Sequence, residues 1–392
     1  MTVTATAALG RARVAVGVMF LVHGAAVGSF ATRIPWIRDR LGLGTGELGL
    51  ALLVPAIGAI IAMPLAAALV HRFPAHVVTR VLVACWCCAM ALPAFAPGFG
   101  WLCLALVVYG ATAGMCDVAM NTQGVHVEED LGRPIMSGLH GLWSVGGLLA
   151  AGVGVLAAHQ HVDARVHLGL MAAVLLVVGL LASRHLPVAA PVDPADAPPL
   201  FTRPTRAVLL IGLVGFCAMF AEAASADWCA VYLRDVMAGS DATAAGAYAG
   251  FACTMAAGRL AGDAIVARLG PVAVVRASGA MATAGALLVV VARTPALGIA
   301  GFSLVGLGVA LVVPQAFAAG GRATPQAGHG IAGVATIAYG AGLAAPGAIG
   351  AIGDLTSLPA AFVVVAGLTA LMIVGAGALR PRPATAETRI RV

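Results

Sequence analysis

At 392 residues the chain is 61% hydrophobic and 10% charged, with a mean hydropathy of +1.00. A soluble domain carries about 25% charged residues, so this composition excludes an ordinary water-soluble globule and points to a chain that crosses a membrane many times. The net charge of +6 comes from arginines alone, scattered through short loops and the tail, which suits membrane topology better than nucleic-acid binding.

Arg11 and Arg13 precede an apolar run with no convincing cleavage site, which reads as an uncleaved first span. Segments long enough to cross about 30 Å of hydrocarbon recur at 12–32, 46–70, 75–96, 100–126, 134–158, 165–186, 206–233, 243–267, 271–292, 296–319, 326–352 and 356–379, twelve in all. Each is too long for a barrel strand and lacks period-two alternation, so the expected class is an all-α membrane protein. Pro55, Pro64, Pro314 and Pro346 lie inside spans, where neighbouring groups re-satisfy the backbone. Glycine-rich stretches at Gly146–Gly154 and Gly340–Gly350 are expected to let helices approach closely.

The longest polar break runs from Pro187 to Thr205 and reads as an extended tether between two six-helix halves, 1–186 and 206–379. The tail from Arg380 to Val392 is expected to be disordered. With both termini inside, sixteen arginines fall on the cytoplasmic side and six outside, which supports that orientation and an even number of spans. All eight cysteines lie in apolar runs without metal-ligand spacing, so neither a metal nor a cofactor is expected. At an offset of 196, Arg72-Phe73-Pro74 aligns with Arg268-Leu269-Gly270 and Arg80 with Arg276. Parallel six-helix repeats joined by a tether place a solute site near the midplane between the halves.

Gly258-Arg259-Leu260-Ala261-Gly262-Asp263, followed by Arg268-Leu269-Gly270 and Arg276, resembles the loop motif of the major facilitator superfamily. Arg33-Ile34-Pro35, Asp117-Val-Ala-Met-Asn121, Leu139-His140 and Glu222-x4-Asp227-Trp228 are similar to the YbjJ-like branch, related to the fucose permeases. The resemblance covers the whole chain and implies twelve transmembrane helices in two pseudo-symmetric bundles. It also implies a gating charge cluster at Arg259, Asp263 and Arg268. The first half departs from the motif, with Ala66-Ala67 where the second half has Gly262-Asp263, so the latch is expected mainly in the second half.

Polar residues inside the spans are the candidate site, because charge in hydrocarbon is costly and usually functional. Asp117 lies in the inner half of span four, and His140 on span five falls at similar depth across the connecting turn. An acid beside an imidazole in low dielectric can pass a proton near neutral pH; the plainer alternative is a capped kink and a bonded core histidine. By resemblance, Asp117 is the nearest match to the fourth-helix carboxylate that fucose permeases use for proton coupling. Those permeases also use an acid in the first helix, where this chain has only His23 near the span centre, a candidate substitute for that acid, with a satisfied core histidine as the plainer reading.

Asn121 shares the face of Asp117 at i+4, whereas Gln123 points elsewhere and reads as helix–helix glue. Glu222, mid-span seven, is the second-half candidate for solute or proton, and Gln315 after Pro314 a weaker lining residue. Arg33 is expected to anchor at headgroups, to attract an anionic solute, or to pair with Asp227 or Asp235. Glu128-Glu129-Asp130 reads as a solvated acidic turn.

The expected function is secondary transport of a small polar solute, sugar- or polyol-like, across the bacterial inner membrane by alternating access, coupled to protons. Efflux by proton antiport is the alternative, weakened because span five reads Leu142-Trp143-Ser144-Val145-Gly146-Gly147 without the Gly-Pro of many efflux pumps. A non-transporting sensor or scaffold is the alternative of another class. No nucleotide-binding loop or catalytic set appears, so an enzyme is not expected. The expected partners are the solute, protons and the lipid bilayer, with no nucleic acid, and the chain is expected to be a monomer.

Overall fold

The computed structural model describes residues 3–43, 45–187, 203–239 and 241–381. Most of the expected tether (188–202) and the tail from 382 lie outside the described residues. Every regular element among the described residues is helical. A bilayer has no water to receive stray backbone groups, and a helix satisfies its own.

The first six spans are α1 (Val3–Ala31), α3 (Thr45–Arg72), α4 (Ala75–Ala89) with α5 (Leu92–Phe95), α6 (Phe99–Leu131), α7 (Met136–His159) and α8 (Ala164–Ser183). A short α2 (Ile34–Leu41) follows the first span. The second six are α9 (Arg206–Asp235), α10 (Asp241–Leu269), α11 (Pro271–Val291), α12 (Pro295–Val309) with α13 (Val312–Ala323), α14 (Ala327–Leu355) and α15 (Leu358–Gly375). Among the described residues, eleven segments are apolar enough to cross a membrane. The twelfth crossing is α10, rich in Ala and Gly and carrying Arg259, Asp263 and Arg268. Its 29 residues reach roughly 43 Å at the α-helical rise, ample for the hydrocarbon.

Spans three and ten are broken, and proline explains both breaks. A proline ring collides with the carbonyl four residues earlier and donates no hydrogen bond to it. Four residues before Pro93 is Ala89, the last residue of α4; four before Pro314 is Ala310, where α12 gives way to α13. Pro55 and Pro64 are carried within α3 and Pro346 within α14 without such a break. The carbonyl of Ala310, freed in this way, reappears in the site below.

The two halves repeat one packing scheme. α1 packs on α7 as α9 packs on α14, α3 on α6 as α10 on α12, and α4 on α8 as α11 on α15. Between the halves, α7 meets α10 and α3 meets α14. Along α1 and α7 the backbones nearly touch: a Cβ on Gly24 would run into the carbonyl of Trp143, and one on Gly146 into that of Leu21. The second glycine-rich stretch behaves otherwise. Gly342 and Gly347 on α14 face open space, and Gly350 meets only the ring of Trp228, so that stretch is no close-packed seam.

Gly110 on α6 is in the same position as Gly24, with the Pro55 carbonyl of α3 where a Cβ would stand. Forced separation of packed helices costs about 1–3 kcal/mol. Gly110→Ala should therefore lower the thermal midpoint of the detergent-solubilised protein, while Gly152→Ala, facing open space on α7, should leave it unchanged or raise it. Equal midpoints for the two variants would refute the close contact.

Candidate functional site

α6, α7 and α14 bring a chain of polar side chains together where α6 has passed its midpoint and α7 is in its second turn. The Asp117 carboxylate is 4% exposed and accepts from Asn121 Nδ2 at 3.1 Å on Oδ1 and from the Tyr339 hydroxyl at 3.1 Å on Oδ2. Asn121 also donates to the Asp117 carbonyl one turn back at 2.8 Å, which locks its amide orientation. Its Oδ1 then faces His140 Nε2 at 3.2 Å, so the imidazole donates. Asp117 and His140 thus lie at similar depth, but they do not touch: Asn121 stands between them. Among the described residues no basic side chain reaches the Asp117 carboxylate.

A second cluster lies one turn along α7. Arg259 Nη2 faces both Glu222 oxygens at 3.1 and 3.2 Å, joining α10 to α9. Nη1 donates to Ser144 Oγ at 3.1 Å on the opposite half, and Nε to the Ala310 carbonyl at 3.4 Å. That carbonyl is the one Pro314 strips of its helical donor. Arg259 is buried, whereas the Glu222 side chain keeps 25% of its surface exposed. Ser144 donates in turn to the His140 carbonyl, so the two clusters are neighbours on one face of α7.

Towards the face where α6 ends and α7 begins, the halves are clasped. Asp263 on α10 accepts from the Gly138 amide at 3.0 Å, in the first turn of α7. Glu128 accepts from the Ile135 and Met136 amides and pairs with Arg322 of α13 at 3.2 Å. Two carboxylates, one from each half, therefore sit on the positive end of α7. Gln315 Nε2 donates to Ser137 Oγ at 3.3 Å beside them.

This arrangement revises several expectations. Glu128 does not belong to a solvated turn, because α6 runs on to Leu131 and carries it into the clasp. The three proposed gating charges do not cluster: Arg259 pairs with Glu222 at mid-depth, Asp263 caps a helix across the interface, and Arg268 is exposed. Gln315 sits in the clasp, below the level of Glu222. Arg33 neither anchors at headgroups nor pairs with Asp227 or Asp235. It is 2% exposed and donates to His167 Nδ1 at 3.1 Å and to the Val162 carbonyl at 2.8 Å, tying the turn between α1 and α2 to the start of α8.

His23 is committed on both ring nitrogens, accepting from Trp143 Nε1 at 2.9 Å and donating to the Ala113 carbonyl at 3.1 Å, and it stacks on Trp86. Gln123 is buried in the first half, and among the described residues neither end of its amide has a hydrogen-bond partner. Sequence reasoning missed Tyr339, Ser144, Ser137 and Arg322. Tyr339 alone had a signal, being one of four tyrosines in the chain and set in a run of Gly and Ala.

The profile of the Major Facilitator Superfamily matches residues 14–345. The chain belongs to that superfamily. An uncharacterized MFS-type transporter of Yersinia pestis is 36% identical over 355 residues, covering 88% of this chain and 90% of the relative. An uncharacterized transporter of Sinorhizobium fredii is 35% identical over 366 residues, 92% and 96% of the two chains. The fold is shared with FucP in its outward conformation, at a TM-score of 0.77 and 16% identity over 94% of this chain and 99% of that one. It is shared equally with the human organic anion transporter MFSD10, at 0.74 and 17% over 95% and 99%. The protein is thus an MFS transporter with an all-α membrane fold, and not an enzyme.

Two variants probe this transporter's polar contacts. Breaking one partner of a buried ion pair costs about 3–5 kcal/mol, and the partial exposure of Glu222 puts Glu222→Gln at the lower end. Its thermal midpoint should fall, and Glu222→Gln with Arg259→Met should recover part of the loss; a wild-type midpoint for the single variant would contradict the pair. A hydrogen bond to a charged group is worth about 1.5–3 kcal/mol. Asp263→Ala should therefore speed amide exchange at Gly138 about tenfold or more, and unchanged exchange would remove Asp263 from the clasp.

Proposed function

We propose that the protein couples transport of a small polar solute, sugar- or polyol-like, to proton movement, with Asp117 as the proton carrier. The observation that carries this reading is the Asp117 carboxylate, buried at mid-depth without a basic partner among the described residues and bonded across the two halves by Tyr339. An ionised carboxylate in hydrocarbon depends on every donor it has. Rocking the halves apart on the clasped side pulls Tyr339 away from Asp117, a step that is costly with the carboxylate charged and much less so with it protonated. Proton uptake therefore precedes opening on that side. The halves that rock comprise the helices up to residue 186 and those from 206 onward.

For the solute, the polar groups gathered beside the clasp are the Tyr339 hydroxyl, the partly exposed Glu222 carboxylate, Asn121 and His140. Groups that donate and accept together suit hydroxyls. A solved relative of the same fold is a fucose:proton symporter of E. coli, which supports the reading by likeness of fold. The clasped face is assigned to the cytoplasm of a bacterial inner membrane. Leaving the buried Arg259 and Arg33 out of the sequence count leaves fifteen arginines for that face against five, still a clear inside bias.

Asp117→Asn mimics the protonated acid. In vesicles with an imposed pH gradient it should abolish accumulation of the labelled sugars or polyols that the wild type accumulates. Counterflow exchange of the same solute should persist. Accumulation at the wild-type level and pH dependence would refute the carrier role.

A further inference from the structure

We propose that a diacyl anionic phospholipid binds astride α1 at the clasped face and favours the closed clasp. A groove of about 700 Å³ runs between α1, α7 and α10. Its walls are apolar, with Val14, Leu142 and Leu260 among them, and its basic groups are Arg13 and Arg133. Val14 and Leu260 are 67% and 52% exposed, so the groove opens sideways, where acyl chains lie. A second groove of about 390 Å³ follows the other flank of α1 towards α8, with Arg11 and His185 in its lining.

Gly10, Val14 and Val18 line both grooves, so the two are adjoining channels on either side of one ridge. Two apolar channels sharing a ridge match the two chains of one lipid. Three exposed arginines near the start of α1 and the end of α6 match an anionic headgroup. Basic pockets between transmembrane helices are recognised sites for such headgroups. Asp263, the one acid in the larger groove, accepts from the Gly138 amide, and Arg13 and Arg133 outnumber it there, so the lining carries a net positive charge.

The larger groove takes walls from both halves: α1 and α7 from the first, Leu260 and Asp263 of α10 from the second. Separating the halves at this face dismantles it. A ligand that binds only the closed form shifts the population towards that form, so lipid occupancy and the Asp263–Gly138 contact strengthen each other.

Native mass spectrometry of the purified full chain tests the site with phosphatidylglycerol against phosphatidylcholine. The wild type should retain phosphatidylglycerol at least tenfold better. Arg13→Gln with Arg133→Gln should lose that preference, and Val14→Trp, which blocks the ridge while keeping the arginines, should lose retention. In bilayer discs, amide exchange over residues 135–142 should be slower with phosphatidylglycerol than with phosphatidylcholine, and the difference should vanish in the double arginine variant. Equal retention of the two lipids, wild-type retention by both variants, or displacement of the lipid by inorganic phosphate would each overturn the proposal.

Discussion

The Arg259 guanidinium is the contact on which the rest of this transporter depends. In a low-dielectric interior a permanent cation needs several partners at once, and Arg259 has three from three directions: Glu222 on α9, Ser144 on the opposite half, and the Ala310 carbonyl. The last is available because Pro314 cannot donate to it. A backbone defect in one helix thereby supplies one of the three partners that let a charge sit in another. The same cation joins the second half internally and touches the first, so its position reports on how the halves are placed.

From that level to the arginine-rich face, the halves are joined by contacts of different chemistry. Tyr339 meets Asp117, Arg259 meets Ser144, Gln315 meets Ser137, Arg322 meets Glu128 and Asp263 meets an amide. Three of these involve an ionised group with a neutral partner, which holds well when dry and gives way without leaving two opposed charges exposed. The asymmetry between the halves belongs here too. Asp263 caps α7 from α10, and at the equivalent offset in α3 the residue is Ala67, so the second half supplies this carboxylate.

Within the polar set, the fate of each histidine shows how far residue type can mislead. His23 looked like a replacement for a first-helix acid, yet Trp143 and the Ala113 carbonyl occupy both of its nitrogens, making it a cross-link between α1, α6 and α7. His140 lies at the expected depth, but an amide separates it from Asp117. Depth could be counted along each helix from the turn. Azimuth relative to a neighbouring helix could not.

What the sequence by itself determined is the medium and everything the medium compels. Long uncharged runs must span, spanning segments must be helical, and a repeat at an offset of 196 makes the second half a copy of the first; α4 and α11 begin 196 residues apart, at Ala75 and Pro271. Asp117, Asn121 and Glu222 were legible as candidates because charge and amide stand out in such runs. Only the tertiary structure decided who meets whom. Resemblance puts Arg259 in a gating cluster with Asp263 and Arg268, but α10 carries it inward by two turns and more to Glu222. Glu128 was read as solvated because its neighbours are acidic, but α6 does not stop where its apolar run stops. Ser144 and Ser137 are ordinary residues until a second helix arrives. Partner choice between helices depends on their rotation and spacing, and those are set by glycine seams and proline breaks acting together over both halves.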